Sequence, residues 1–393
     1  MPKNICRLKR IGIFLTLTTL LLSLVCCNGS TNESDYGDNI VLKLASAGAH
    51  TAIETSATAA IGIEVSSGEI FYAKNIEKRL PMASTTKIMT AIVAIENGNL
   101  SDTVRIHKDA VGIEGSSIYL YENEALTLED LLYALMLESA NDAAMAIAIH
   151  IAGDAQRFVE LMNDKAISLG LINTHFENPH GLDSPEHYTT AYDLGVIAAY
   201  CMQNPTFRKI VSTYKKVIPL AEDKGARVLI NHNKLIRNYD GAIGIKTGYT
   251  KKSGRCLISA ASRDGVELIC VTLSAPSDWQ DHEAILDLGY SIYEHKILAL
   301  SREVSLTIPI VNASTQSVTV ENFKEIEATV AKEADIKVVI EAPRFLFAPI
   351  KSGDIIGRVI YIQNNKVIAT APLCATQTVD QVKHKGFFDT FRK

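Results

Sequence analysis

Between Leu126 and Ile151 runs an apolar stretch with helical periodicity, broken once by Glu138-Ser139-Ala140-Asn141-Asp142. Patterns this apolar predict two helices inside a core, and polar groups trapped between them each need a partner. Ser139 and Asn141 are therefore either a satisfied helix junction or a hydroxyl and an amide placed for chemistry. The chain has 393 residues, 47% of them hydrophobic and 21% charged, which is enough for a substantial core and excludes a disordered polymer.

The first 27 residues belong to a different kind of segment. Lys3, Arg7, Lys9 and Arg10 precede an apolar run from Ile11 to Val25, shorter than the ~20 residues of a spanning helix. Residues 1–27 thus read as a secretory signal peptide, and the rest is expected outside the cytoplasmic membrane, secreted or associated with membrane or cell wall. Leu24-Val25-Cys26-Cys27 loosely matches a lipoprotein cleavage box, with an atypical cysteine before the acceptor. Setting aside the four leader cations turns the net charge of −5 into −9, which argues against a nucleic-acid partner. Cys201, Cys256, Cys270 and Cys374 are too scattered for a disulfide framework. An Asp264-Gly265 hairpin turn would set Ser259 opposite Cys270 and point Cys256 to the other face, so those two cannot bridge.

Residues 28–54, rich in Gly, Ser, Thr, Asn and Asp, read as a linker. Residues 55–299 carry strands at both ends, Ala59–Val65 and Ile70–Tyr72 early, and Val228–Ile230, Ala242–Lys246, Cys256–Ala261 and Leu268–Leu273 late. Helical patterns fill the middle and a last one spans Asp281 to Leu298. The expected fold is α+β, one sheet assembled from distant sequence and covered by helices. Residues 300–375 contain short strands only and predict a small all-β domain. Residues 376–393 place Val382, Phe387, Phe388 and Phe391 among Lys383, Lys385, Arg392 and Lys393. That tail is either a membrane-surface helix or a frayed basic end.

Ser84-Thr85-Thr86-Lys87 puts a hydroxyl and an amine one helical turn apart at a helix start. A lysine kept neutral by burial or neighbouring cations can take a serine proton, and the helix N-terminus favours developing negative charge. The competing reading of Ser84 is a helix cap. A second copy, Ser212-Thr213-Tyr214-Lys215, lies in a β-prone run where positions three apart face opposite ways. Lys246-Thr247-Gly248 ends a strand pattern and could grip a carboxylate, glycine allowing close approach. Lys252-Ser253-Gly254 and Lys351-Ser352-Gly353 are decoys of the same type.

Taken in order, Ser-x-x-Lys, Ser-x-Asn and Lys-Thr-Gly resemble the trio of penicillin-binding proteins and β-lactamases. The flanks narrow it: Leu80-Pro81-Met82-Ala83 before Ser84, Asn178-Pro179-His180-Gly181-Leu182-Asp183, Tyr188-Thr189-Thr190-Ala191-Tyr192-Asp193, and Gly244-Ile245-Lys246-Thr247-Gly248-Tyr249-Thr250. Over about Ala59 to Pro276 the chain is similar to low-molecular-mass penicillin-binding proteins, serine-type D-alanyl-D-alanine carboxypeptidases, and the β tail resembles their accessory domain. The resemblance implies a β-lactamase/transpeptidase-like fold. It implies that Ser84 attacks the carbonyl between two terminal D-alanines and that Lys87 accepts its proton. Ser139 would relay that proton, Asn141 would orient Lys87, and Lys246 and Thr247 would bind the terminal carboxylate. Backbone N–H groups of Ser84 and Tyr249, beside Gly248, would form the oxyanion hole.

Peptidoglycan stem peptides would be the substrate and β-lactam antibiotics would acylate Ser84, with no cofactor. Ala140 departs from the family's usual glycine. The Asn178–Asp183 run also reads as a plain turn around Pro179 and Gly181. His180 and His187 lack the spacing of a zinc peptidase, and no metal is expected. Two alternatives remain: a class A-like β-lactamase, whose glutamate and asparagine four positions apart are matched only by Glu160 and Asn163, three apart in a helical pattern, and a non-catalytic wall-binding scaffold.

Overall fold

The computed structural model describes residues 53–220 and 225–382. The expected signal peptide, nearly all of the linker and the tail beyond Val382 lie outside the described residues.

Strands β1 (Ala59–Glu64) and β2 (Glu69–Lys74) form a hairpin. Its turn is held from within: the two Glu64 carboxylate oxygens accept the backbone N–H and hydroxyl of Ser66 and of Ser67. Then come α1 (Lys87–Asn97), the short pair β3 (Thr103–Arg105) and β4 (Ala125–Thr127), α2 (Leu128–Leu137), α3 (Asn141–Ala152), α4 (Ala155–Ser168), α5 (Ala191–Gln203) and α6 (Pro205–Ser212). Hairpin β5 (Lys215–Pro219) and β6 (Ala226–Ile230) and the turn-length α7 (Leu235–Asn238) lead into β7 (Ala242–Thr250), β8 (Gly254–Arg263), β9 (Val266–Leu273) and α8 (Asp278–Ile292).

The central sheet runs β2-β1-β9-β8-β7, antiparallel throughout, so the first strand pairs with the last as expected. Both faces are buried, and the period of two sorts the residues. Ile61, Ile63, Ile258, Ile269 and Val271 join the core with helices α1 to α6. Ala60, Leu257, Leu268 and Cys270 face Ile285 and Leu286 of α8. Ser259 lies opposite Cys270, Cys256 and Cys270 belong to opposite faces, and the four described cysteines are free.

The apolar stretch that opens at Leu126 becomes α2 and α3, and its break is their junction. Thr127 caps α2 through Asp130 N, and Gly153 closes α3 in the left-handed region at φ +87°. Sequence periodicity missed α6, eight residues with Phe207, Ile210 and Val211 inward; its mark was Asn204-Pro205, the asparagine capping and the proline at the first helical position.

The last helix does not extend to Leu298. It stops at Ile292, and Tyr293–Ala299 is a strand, β10. The cause is tertiary: β10 pairs with Ile326–Ala331, and Tyr293 packs edge-on against Phe71 with ring centroids 5.9 Å apart. Beyond it lie β11 (Ser305–Val311), β12 (Ser317–Glu321), β13 (Ile326–Ala331), β14 (Ile336–Glu341), β15 (Leu346–Phe347), β16 (Ile355–Gln363) and β17 (Lys366–Ala375). All but β13 make one sheet, ordered β14-β16-β17-β12-β11-β15, over its own core. Buried Gln363 ties the two sheets by accepting from Ala331 N and donating to the Ala331 and Ala334 carbonyls.

Candidate active site

Ser84 stands in a 3-10 turn, Ala83–Thr86, that runs into α1. It is not a cap: the described hydroxyl contact is with Lys87, whose Nζ lies 3.0 Å from Ser84 Oγ. Lys87 is wholly buried, and its amine also reaches Asn141 Oδ1 at 2.7 Å and the His180 carbonyl at 2.5 Å. A neutral amine has two hydrogens and one lone pair. Two N–H groups on Asn141 and His180 leave the lone pair facing the serine. Burial, and next the charge of Lys246, push the Lys87 amine well below its ordinary value, against an opposing pull from Asp142.

The helix junction supplies the second group. Ser139 sits in the left-handed region at φ +59°, a conformation a serine holds only where its surroundings enforce it. Ala140 has φ −65°, which needs no glycine, so the departure from the family pattern carries no strain. Asn141 opens α3; its Nδ2 donates to Glu114 O and its N–H to Ser116 O, which fixes the amide with Oδ1 toward Lys87. Asp142 holds that same loop, accepting from Ser117 Oγ and from the N–H groups of Ile118 and Leu120.

Strand β7 forms the opposite wall. A Cβ at Gly248 would stand 3.1 Å from Ser84 N and from Thr85 N, so a side chain there would press on the Ser84 turn. Thr247, Gly248 and the exposed Tyr249 face a cleft of about 370 Å³ with Ser84 and Ser139. Lys246 shares with Gly248 the face of β7 that is turned to the helical core. It is 1% exposed, donates to the Thr247 carbonyl, and burial lowers its amine to about 7. The cleft's exposed cations are Lys234 and Arg255, both over the ring of Trp279, the chain's single tryptophan. Asp278 accepts from Arg255 Nε at 2.9 Å and aims it.

The sequence pattern thus brings Ser84, Lys87, Ser139, Asn141, Thr247, Gly248 and Tyr249 together, with Lys246 buried on the core-facing side of β7 and acting on Lys87. It missed the backbone carbonyls of Glu114, Ser116 and His180, which carry no side-chain signal, and it missed Lys234, Arg255 and Trp279, of which only the lone tryptophan was conspicuous. The Asn178–Asp183 run is a turn, with Gly181 at φ +89° donating its N–H to Asn178 Oδ1, yet its His180 carbonyl is one of the three partners of Lys87. The decoys separate. Ser212 ends α6 and bonds Lys209 O while Lys215 begins β5. Ser253 bonds Thr250 in the β7–β8 turn, and Ser352 lies in the β domain. Glu160 is exposed on α4, and Asn163 is clasped to the Phe176 backbone.

Residues 45–277 match the D-alanyl-D-alanine carboxypeptidase family, and residues 294–381 match the penicillin-binding protein 5 C-terminal domain. The chain belongs to the D-alanyl-D-alanine carboxypeptidase family. It is 32% identical to the D-alanyl-D-alanine carboxypeptidase DacF of Bacillus subtilis, over 86% of this chain and 88% of that protein. Penicillin-binding protein 5 of Haemophilus influenzae superposes with a TM-score of 0.64 at 28% identity, covering 84% of this chain and 99% of the other. The Streptomyces K15 DD-transpeptidase, at 33% identity and a TM-score of 0.58, covers 61% of this chain and 99% of its own. The carboxypeptidase family accounts for both folded parts, a serine hydrolase domain and the β domain, and makes a β-lactamase or a silent scaffold the poorer reading.

Proposed function

We propose that this carboxypeptidase removes the terminal D-alanine of peptidoglycan stem pentapeptides through a Ser84 acyl-enzyme. The observation that carries the reading is the Lys87 amine: fully buried, lowered in basicity, and divided between two acceptors and the Ser84 hydroxyl. Ser84 Oγ attacks the carbonyl between the two D-alanines as its proton passes to Lys87. The Ser84 and Tyr249 N–H groups face the oxyanion. Ser139 carries the proton to the departing amine, and Asn141 keeps Lys87 in line. Water then hydrolyses the ester.

The substrate carboxylate meets the Thr247 hydroxyl and the Arg255 guanidinium. Lys246, buried on the core-facing side of β7, gains a proton more readily when that carboxylate arrives, and its charge holds Lys87 deprotonated. A penicillin presents the same carboxylate and a strained amide to Ser84, so it should acylate and remain. The basic, apolar leader supports a site of action outside the cytoplasmic membrane, where the substrate is, and the basic aromatic tail supports contact with the membrane surface. Release of D-alanine from a pentapeptide ending in two D-alanines tests the reading: wild type releases it and Ser84→Ala does not. Equal release from both would remove the proposal.

A further inference from the structure

Ala83, the residue before the nucleophile, is buried and sits at φ +48°, a left-handed conformation that costs an alanine about 1–2 kcal/mol. Something must hold it there, and the contacts to its carbonyl oxygen identify what. Thr86 Oγ1 donates to Ala83 O at 2.8 Å. That hydroxyl's only hydrogen is thereby committed, so its second contact, 2.7 Å to His187 Nε2, is one it accepts. His187 Nδ1 accepts from the Glu177 N–H at 3.0 Å, which leaves Nδ1 unprotonated and puts the ring proton on Nε2. Each hydrogen is assigned: Glu177 N–H to His187, His187 Nε2–H to Thr86, Thr86 O–H to Ala83 O. The ring is 3% exposed and packs edge-on against Phe176, so water does not compete for these bonds. Gly181 also crowds the same carbonyl, since a Cβ there would lie 2.0 Å from Ala83 O and 2.9 Å from Thr86 Oγ1.

Ala83 C=O and Ser84 N–H belong to one peptide group. In a planar trans peptide they point in opposite directions, so fixing the oxygen fixes the hydrogen. We infer that His187 is a positioning residue of the reaction, acting through Thr86 on the Ala83 carbonyl to aim the Ser84 N–H into the oxyanion hole. This rests on Ser84 being the nucleophile, as proposed above, and gives His187 a task that neither a metal ligand nor a packing histidine would have. An oxyanion donor is useful only when preorganised, and a displacement of about 1 Å costs on the order of a hundredfold in rate.

Penicillin acylation followed by stopped-flow fluorescence of Trp279 separates reversible binding from the covalent step, because the only tryptophan lines the cleft. Thr86→Val, isosteric but without the hydroxyl, should slow the covalent step by about 10- to 100-fold and leave the reversible binding constant within about threefold. Thr86→Ser, which restores the hydroxyl, should recover the rate. His187→Gln, whose amide nitrogen can take the place of Nε2–H, should recover most of what His187→Leu loses. The losses of Thr86→Val and His187→Leu should not multiply in the double variant, because both cut one relay. A covalent step in Thr86→Val within twofold of wild type would overturn the inference, as would fully multiplicative losses. If His187→Leu does not fold, the Thr86 pair decides alone. Wild type that is not acylated at Ser84 would instead overturn the reading on which the inference rests.

Discussion

Two buried lysines do opposite work at the residue scale. In the proposed reaction Lys87 serves as base because it is dry, doubly bonded through its hydrogens and near another cation, and Lys246 on the core-facing side of β7 is that cation. Replacing Lys246 by glutamine removes the nearby positive charge that lowers the Lys87 amine. The acid limb of the acylation rate should therefore move to higher pH, and a pH profile of penicillin acylation checks it; an unmoved limb would separate the two lysines. Lys246 also links to stability, and the sign can be worked out. Its folded value of about 7 lies below the ordinary lysine value, so between the two the unfolded chain holds a proton the folded chain lacks. Stability attributable to Lys246 rises with pH across that window, by at most about 1.4 kcal/mol per pH unit. Chemical denaturation of wild type and Lys246→Met should show the variant's advantage shrinking as pH increases from 7. Arg255, standing in the cleft on Asp278, should matter to the carboxylate itself. Arg255→Gln should raise KM for a substrate with a free C-terminus by about tenfold or more and change little for its C-terminal amide.

At the scale of elements, what was legible depended on whether a signal was local. Spacing found Ser84 and Lys87, and the break at Glu138–Asp142 found the α2–α3 junction, because both are short-range patterns set by helical geometry. Strand β10 falls inside the helix expected over Asp281 to Leu298. Its partner β13 lies some thirty residues on, and pairing at that distance leaves no local mark. In β13 itself, Glu327 and Ala328 blur the alternation. The same holds in the site: carbonyls of Glu114, Ser116 and His180 hold Asn141 and Lys87, and a carbonyl looks alike in every residue. Gln363 offers a test of the junction between the β10–β13 pair and the six-stranded sheet. Gln363→Ala leaves the Ala331 N–H and two carbonyls without their partner and should cost about 1–3 kcal/mol. Denaturant titration reads that loss, with the acylation rate as the control that should stay put.

Across the whole molecule, the proposed catalytic constellation lies between the helical core and the β7 edge of a sheet closed by pairing first strand to last. No residue of the six-stranded sheet lines the cleft among the described residues. The Streptomyces K15 DD-transpeptidase matches 61% of this chain over 99% of that chain. A chain ending at Ala299, which keeps Tyr293 on Phe71, should therefore acylate with penicillin at the wild-type rate and melt at a lower temperature. Loss of acylation in a folded truncation would give the β domain a part in the chemistry. The central claim is narrower and more directly exposed: one serine, activated by Lys87, carries the acyl group. Intact mass and peptide mapping of the penicillin-treated protein should place a single adduct on the peptide containing Ser84 and find none in Ser84→Ala, whereas an adduct persisting in that variant, on the Ser212 peptide or elsewhere, would contradict the account.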